Sequence, residues 1–448
     1  MDPVLLARIQ FGLTVSFHYI YPPLSIGLGV ILVLMEGLYL KTGNPLFQQM
    51  TRFWVRIFGL TFALGVATGI VMEFQFGTNW SNYSRFVGDV FGSALAAEGI
   101  FAFFLESGFL AILLFGWDKV SPRMHMVSTV MVALGAHFSA VWIVVADSWM
   151  QTPAGYHIVQ GALRPRAEIT DFWAMVFNPS AMIRLSHTVL GAWQAAAFLV
   201  LSVSAYYLLR RQHLEFAKAS MRIGLVVGLL ASLGSFVTGH ESALVVAKYQ
   251  PAKLAAMEGH YPASAPGALS LFGYVDEESE RTIGPKIPGM LSFLVHGDST
   301  KPLTGLKAFP KEDRPPVAPV FQAYHAMVGI GMSLIGLALL GTLFWWRGTL
   351  WETRWLLWLF VFAVLGPQAA NQLGWFTAEV GRQPWIVYGL MRTADGISPT
   401  VTAAQILASI AMFTVIYLGL FILFVYLLDQ KIRHGPLADD LTVAYHRR

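Results

Sequence analysis

Six side chains, scattered over the chain, are of types that move electrons or protons. His18, His187, Met327 and Glu379 can each offer a lone pair to a transition metal, and Glu98 and Glu106 can carry protons. Glu379 stands in the stretch Gly-Trp-Phe-Thr-Ala-Glu-Val-Gly-Arg-Gln-Pro-Trp from Gly374 to Trp385, three residues before Arg382 and four after Trp375. This stretch closes an apolar run that begins near Trp355, and an acid and a base at the mouth of such a run are costly to bury. Pro384 is expected to stop the helix. The plainer alternative is an interfacial anchor in which Glu379 simply pairs with Arg382.

The elements that position these residues follow from composition. Hydrophobic residues make up 55% of the chain and charged residues 12%, against a usual charged share of about 25%. Several apolar runs exceed the roughly 18 residues that mark a membrane span. The fold class expected is all-α, a polytopic membrane bundle. Nine transmembrane helices are expected, at about Leu13–Leu40, Phe53–Phe76, Ala94–Trp117, Met126–Ala146, Ile183–Leu209, Ile223–Lys248, Val320–Trp346, Trp355–Glu379 and Ala403–Leu428. The division is 1–248 for helices one to six, 249–319 for a long loop rich in Pro and Gly, and 320–448 for the last three helices and a tail. A loop of that length is usually functional or disordered. The net charge of +4 reflects basic residues near helix ends, and nothing in it points to nucleic acid. Lys41, Arg52, Arg56, Lys119, Arg123, Arg210, Arg211, Lys218, Arg222, Arg347, Arg354, Lys431, Arg433, Arg447 and Arg448 fall in loops of one parity. That puts the N-terminus outside and the C-terminus in the cytoplasm. Cysteine is absent, which excludes disulfides, thiolate metal sites, iron–sulfur clusters and c-type haem attachment. No cleavable signal is evident before the first span.

Parity then assigns depth. His18, His187, Met327 and Glu379 fall near the outer ends of spans one, five, seven and eight, hence in one layer. Histidine, thioether and carboxylate in one layer suggest haem iron: a His–Met pair for electron transfer, and a single His or carboxylate where a gas can bind. Taken singly, each is as readily a packing residue. Glu98 and Glu106, eight residues apart, are separated by about 12 Å and about 80° on an α-helix. They read as a proton relay or, more plainly, as protonated acids bonded to neighbouring helices. Glu36, Glu73, Asp147 and Glu241 lie near span ends, where interfacial solvation is the simple expectation.

Longer motifs sharpen this reading. They are Phe74 to Ser81 (Phe-Gln-Phe-Gly-Thr-Asn-Trp-Ser), Phe104-Leu105-Glu106, Ser148-Trp149-Met150-Gln151, Gln250 to Gly259 (Gln-Pro-Ala-Lys-Leu-Ala-Ala-Met-Glu-Gly) and Gly374 to Trp385. With them the chain resembles subunit I of the cytochrome bd quinol oxidases over nearly its whole length, with the short type of loop. The resemblance implies that His187 and Met327 ligate a low-spin haem b. It implies that His18 serves a haem d, or a b-type haem in its place, and that Glu379 serves a high-spin haem b. Trp375 and Arg382 would stand beside the haems, Glu98 and Glu106 would deliver cytoplasmic protons, and Lys253 and Glu258 in the outer loop would bind quinol.

The implied reaction is oxidation of membrane quinol at the outer face with reduction of O2 to water, in a bacterial or archaeal cell (inner) membrane. The implied partners are a second large membrane subunit, subunit II, and in some members a small single-helix one. Three positions depart from the family pattern: His325 stands where Arg is usual, His240 where Asp is usual, and Asp147 where Asn is usual. Histidine, unlike arginine, titrates near neutrality, so haem potentials would shift or become pH-dependent. These departures also motivate a rival reading, a haem-containing electron-transfer subunit without oxygen reduction. A haem-free transporter is a further rival from another class.

Overall fold

The computed structural model describes residues 2–161 and 164–436. Arg447 and Arg448, counted above for orientation, lie outside the described residues. Nine segments among the described residues are long and apolar enough to cross a membrane.

The first is broken. α1 (Pro3–His18) starts at a cap in which the Asp2 carboxylate accepts from the Val4 and Leu5 amides, and it gives way to α2 (Tyr21–Thr42) at Tyr19-Ile20. Pro22 and Pro23 open α2 and cannot continue α1, because proline lacks the N–H and crowds the residue before it. His18 is thereby the last residue of α1. Asn44-Pro45 and Ser121-Pro122 repeat the cap-then-proline start at α3 (Pro45–Thr78) and at α7 (Pro122–Gln151).

Between these come α4 (Ser81–Phe86), α5 (Gly88–Glu98) and α6 (Phe104–Phe115). The last two are joined by a π turn over Gly99–Phe103, where a continuous α-helix was expected. A hairpin of β1 (Tyr156–Gln160) and β2 (Pro165–Ile169), then α8 (Phe172–Val176), leads into α9 (Ala181–Arg210) and α10 (Leu214–Tyr249). α9 is the central helix. Ala192 and Ala195, Ala196 and Ala197 are buried in it, and small residues let neighbouring backbones close up where lipid offers no hydrophobic drive.

The segment expected as a long loop is ordered. α11 (Pro251–Glu258) is followed by β3 (Ser264–Pro266), β4 (Leu269–Ser270), β5 (Tyr274–Asp276), β6 (Arg281–Ile283), β7 (Lys286–Ile287), α12 (Met290–His296) and β8 (Pro302–Thr304). The strands pair antiparallel as β3–β8, β4–β7 and β5–β6, a nested set around one turn. α13 (Val317–Trp346) follows. The eighth span is broken at Val364 into α14 (Arg354–Ala363) and α15 (Leu365–Val380), with Pro367 in the first turn of α15. α15 ends at Val380, before the proline expected to stop it. β9 (Trp385–Val387), β10 (Met391–Arg392) and α16 (Thr393–Gly396) precede α17 (Ala403–His434), which opens on a Thr402/Gln405 capping box.

The ends of α3, α7, α10 and α15 meet the starts of α9, α13 and α17 at the end of the bundle that carries the 249–319 segment, the loop end. Away from it, Phe53, Trp54, Phe58, Phe198 and Tyr207 pack into a fully buried aromatic core.

Candidate functional site

His18 and His187 sit in two copies of one arrangement. His18 Nδ1 lies 2.9 Å from Thr68 Oγ1, and His187 Nδ1 lies 3.0 Å from Thr238 Oγ1. Each threonine hydroxyl has one proton, and each gives it to a carbonyl one turn back: Thr68 to Leu64 at 2.7 Å and Thr238 to Gly234 at 2.9 Å. The hydroxyl oxygen is therefore the acceptor from histidine, and Nδ1 carries the ring hydrogen. That fixes the tautomer with its lone pair on Nε2, which bonds to none of the described residues. The next residue is glycine in both copies. A Cβ on Gly69 would stand 3.3 Å from His18 Cε1, and one on Gly239 would stand 3.4 Å from His187 Cε1. Thr68 is ten residues from the loop end of α3 and Thr238 eleven from that of α10, so both rings lie at about 15 Å depth. An imidazole oriented through Nδ1 with a free Nε2 is the form in which histidine ligates metal. These two side chains fit haem iron.

Met327 lies ten residues into α13, against α15. A Cβ on Gly374 would come within 2.9 Å of its Sδ, so glycine gives the sulfur room to sit this close. Two residues before it, His325 Nδ1 lies 2.9 Å from the Phe321 carbonyl and Nε2 lies 3.0 Å from the Ser270 carbonyl. Carbonyls only accept, so each nitrogen that makes its bond must carry a hydrogen. His325 thus ties α13 to β4.

Glu379 is bound on both oxygens. Arg382 donates to Oε1 at 3.0 Å and more closely to Oε2, and Gln151 Nε2 donates to Oε1 at 2.9 Å. Asp147 pairs closely with Arg184 and lies 3.8 Å from Arg382. Asp147 is held by two guanidiniums, and the interfacial solvation expected for it does not apply. These three bonds take three of the roughly four lone-pair positions of the carboxylate, so Glu379 fits as a ligand only through the one left on Oε2 or by exchanging an Arg382 hydrogen bond. Trp375 is partly buried one turn earlier on α15.

Lys253 joins this cluster. Its Nζ donates to Gln151 Oε1 at 2.8 Å and to Gln250 Oε1 at 3.0 Å. Two carboxylates already balance two guanidiniums here. Burial, then Arg184 and Arg382, hold the Lys253 amine well below its ordinary value.

Glu258, five residues along α11, faces the other way. It lines a cavity of about 420 Å³ with His260, Ser270, Glu280, Lys286 and Lys307. The Lys253 side opens on a cavity of about 190 Å³ beside Phe309, Arg382 and Trp385. Only the larger falls within the usual size of roughly 300–1,000 Å³ for a small-molecule site. Burial pushes the Glu258 carboxyl up to about 7, with hydrogen bonding at Tyr324 and Ser270 opposing. Tyr324, which bonds Glu258, lies on α13 about one helical turn before Met327. The expected quinol pair, Lys253 and Glu258, is thus divided between two cavities.

Glu98 accepts from Ser139 Oγ at 2.5 Å. Glu106 is buried and packs against Gly135, where a Cβ would meet its Cγ at 2.4 Å. Positions 135 and 139 lie one turn apart on one face of α7, so both acids point the same way. The π turn is the reason. It takes up about one extra residue, so eight residues advance like seven, an offset of about 20°, where about 80° was expected.

Glu36 is a further buried acid. Glu36, 1% exposed, accepts from Thr129 Oγ1 at 2.5 Å and lies 2.7 Å from His125 Nδ1. Trp117 stacks on the His125 ring at 3.7 Å, and Arg52 lies over Trp117. Interfacial solvation does not describe Glu36. Glu73 and Glu241 are exposed.

Comparison with known proteins bears on the whole chain. Residues 6–436 match the family described as Cytochrome bd terminal oxidase subunit I. The chain is 40% identical over 451 residues to the cytochrome bd ubiquinol oxidase subunit 1 of Bacillus subtilis, covering 98% of this chain and 96% of that one. It is 36% identical over 504 residues to the cytochrome bd-II ubiquinol oxidase subunit 1 of Escherichia coli, covering 98% of each. The structure of bd oxidase from Geobacillus thermodenitrificans matches with a TM-score of 0.90 at 31% identity, over 97% of this chain and 99% of that one.

Proposed function

The chain belongs to the cytochrome bd terminal oxidase subunit I family and is a quinol oxidase subunit of respiratory electron transport, embedded in a membrane, and we propose that it is the haem-bearing catalytic subunit. In this reading it oxidises quinol at the loop end and reduces O2 to water with protons taken from the opposite face. The observation that carries the proposal is the pair of imidazoles, His18 and His187, each fixed through Nδ1 by a threonine with Nε2 left free.

Bound haem would supply the electron-carrying and oxygen-reducing iron: a low-spin haem b on His187 and Met327, a haem d or b-type replacement on His18, and a high-spin haem b on Glu379. The protein's own part is ligation, spacing and proton handling. Glu258 accepts a proton from the quinol hydroxyl, a role supported by its burial, its raised pKa and the size of its cavity. Lys253 contributes a hydrogen bond from the smaller cavity on the other side of α11. Glu106 and Glu98 pass protons inward along one face, a role supported by the register that the π turn gives them.

The loop end would face outside, with the N-terminus outside and the C-terminus in the cytoplasm. Protons released and protons consumed then lie on opposite sides, and charge crosses without a pump. The membrane is that of a bacterial or archaeal cell. Subunit II of the family, with a small single-helix subunit in some assemblies, would cover part of the apolar surface. Val415 and Ile422 on α17, 72% and 60% exposed, support such a face.

Reduced-minus-oxidised spectra of the purified protein, with oxygen uptake driven by a reduced quinol, test the proposal. Haem bands with quinol-dependent uptake are expected, and a protein without haem absorption contradicts it.

A further inference from the structure

The cavity at Glu258 holds a second buried group that no role yet uses. His260 follows Glu258 across Gly259, whose φ of 60° turns the chain sharply at the end of α11. A Cβ at Gly259 would strike Thr282 Oγ1 at 2.1 Å, so the turn is closely packed. His260 is fixed on both sides. Its amide donates to the Ala255 carbonyl at 2.8 Å, and its carbonyl accepts from Leu306 at 3.0 Å. A backbone hydrogen bond at Leu303 engages the ring. Among the described residues its Nε2 is buried with no hydrogen-bond partner, and so is Glu258 Oε2. Both residues line the same cavity. Two orphaned polar atoms on adjacent sides of one turn call for an explanation, and a ligand with two hydroxyls supplies it.

Oxidation of one quinol to quinone removes two electrons and two protons. The electrons leave for oxygen in the proposed reaction, and each proton needs an acceptor. We propose that His260 is the second proton-accepting residue of the quinol site, its Nε2 taking one proton of a quinol while Glu258 takes the other. The inference rests on the reading of this cavity as the quinol site. The groups facing His260 there are Glu258 on α11, Tyr261 next to it, Glu280 in the β5–β6 turn, Arg281 on β6, Lys286 on β7, and Lys307 beyond them. Burial, and to a smaller extent Lys286, keep the imidazole neutral and able to accept.

The test uses the intact oxidase with His260→Gln, His260→Asn and Glu258→Gln. Oxygen uptake is driven either by quinol or by ascorbate with a one-electron phenylenediamine dye, which bypasses quinol deprotonation. An amide at position 260 keeps a hydrogen bond but accepts no proton. Quinol-driven kcat should fall about a hundredfold in His260→Gln, with KM within a fewfold, an altered pH profile and dye-driven uptake unchanged. His260→Asn should do the same, and it decides the matter where the glutamine variant does not assemble. Quinol kinetics and pH profile unchanged in the His260 variants but impaired in Glu258→Gln would overturn the role of His260 and keep the site. Unchanged kinetics in all three would remove quinol from this cavity altogether.

Discussion

His187 and Glu379 would both bind iron, yet their surroundings are opposite. The imidazole sets Nδ1 on Thr238 and leaves Nε2 with no hydrogen bond among the described residues. The carboxylate has Arg382 on both oxygens and Gln151 on one. The first can take a metal without moving, whereas the second has most of its lone-pair positions already taken. Readiness to ligate is set less by the ligand than by the group behind it. A threonine hydroxyl that has already spent its proton on the helix leaves histidine a single tautomer. An arginine with two donors leaves a carboxylate no spare lone pair in that direction. Asp147, close to the same arginine, is the counter-charge able to receive it when Glu379 lets go.

This contrast can be broken experimentally. The largest effect belongs to the imidazoles: His187→Ala should erase the low-spin haem spectrum and His18→Ala a different band, each leaving the other. Retention of both bands in either variant contradicts the assignment. Next come the threonines. Thr68→Val and Thr238→Val keep shape but remove the acceptor, and haem affinity at the matching site should fall about 10–100-fold, read by titrating haem into depleted protein. Equal affinity would mean that the tautomer is set elsewhere.

Glu258 marks a third condition, a carboxylate with one oxygen unpaired. Its pKa rises from 4.5 to about 7 on folding, so its burial costs nothing below the lower value and progressively more between the two. The cost is complete above the upper value, at about 3 kcal/mol. Glu258→Gln should therefore gain thermal stability over the wild type as pH rises through that window, and a difference independent of pH would contradict the shift. The smallest effect is expected for Asp147→Asn. Of its two pairs, the 3.8 Å one with Arg382 bears on Glu379; losing it on the partly exposed Asp147 side costs about 1 kcal/mol, and occupancy of the Glu379-dependent haem should drop roughly fivefold. No change would show that Arg382 never leaves Glu379.

Hydrophobic runs made the nine spans legible from sequence, since a bilayer demands them whatever the packing. The breaks within the runs were less so. Pro22-Pro23 and Pro367 interrupt apolar stretches without lowering their hydrophobicity, and the π turn at Gly99–Phe103 has no proline to announce it. His18, His187, Met327 and Glu379 stood out by chemical type. Thr68-Gly69 and Thr238-Gly239 did not, because a threonine in a helix reads as neutral until the facing helix is known. The repeated Thr-Gly, each copy some fifty residues from its histidine, was the available signal. The nested strands of the 249–319 segment, two or three residues each, are too short to leave a periodic pattern. Lys253 and Glu258 are a pair only by the family resemblance. Five residues on a helix advance about 140°, which turns them to different cavities.

The most direct test is an experimental density map of the purified, haem-loaded protein. Iron should sit on Nε2 of both His18 and His187, about 2.0–2.1 Å away as for other imidazole–metal bonds, with Nδ1 still donating to Thr68 and Thr238. Iron bound through Nδ1 with the threonines released, or porphyrins held by other side chains, would contradict the account.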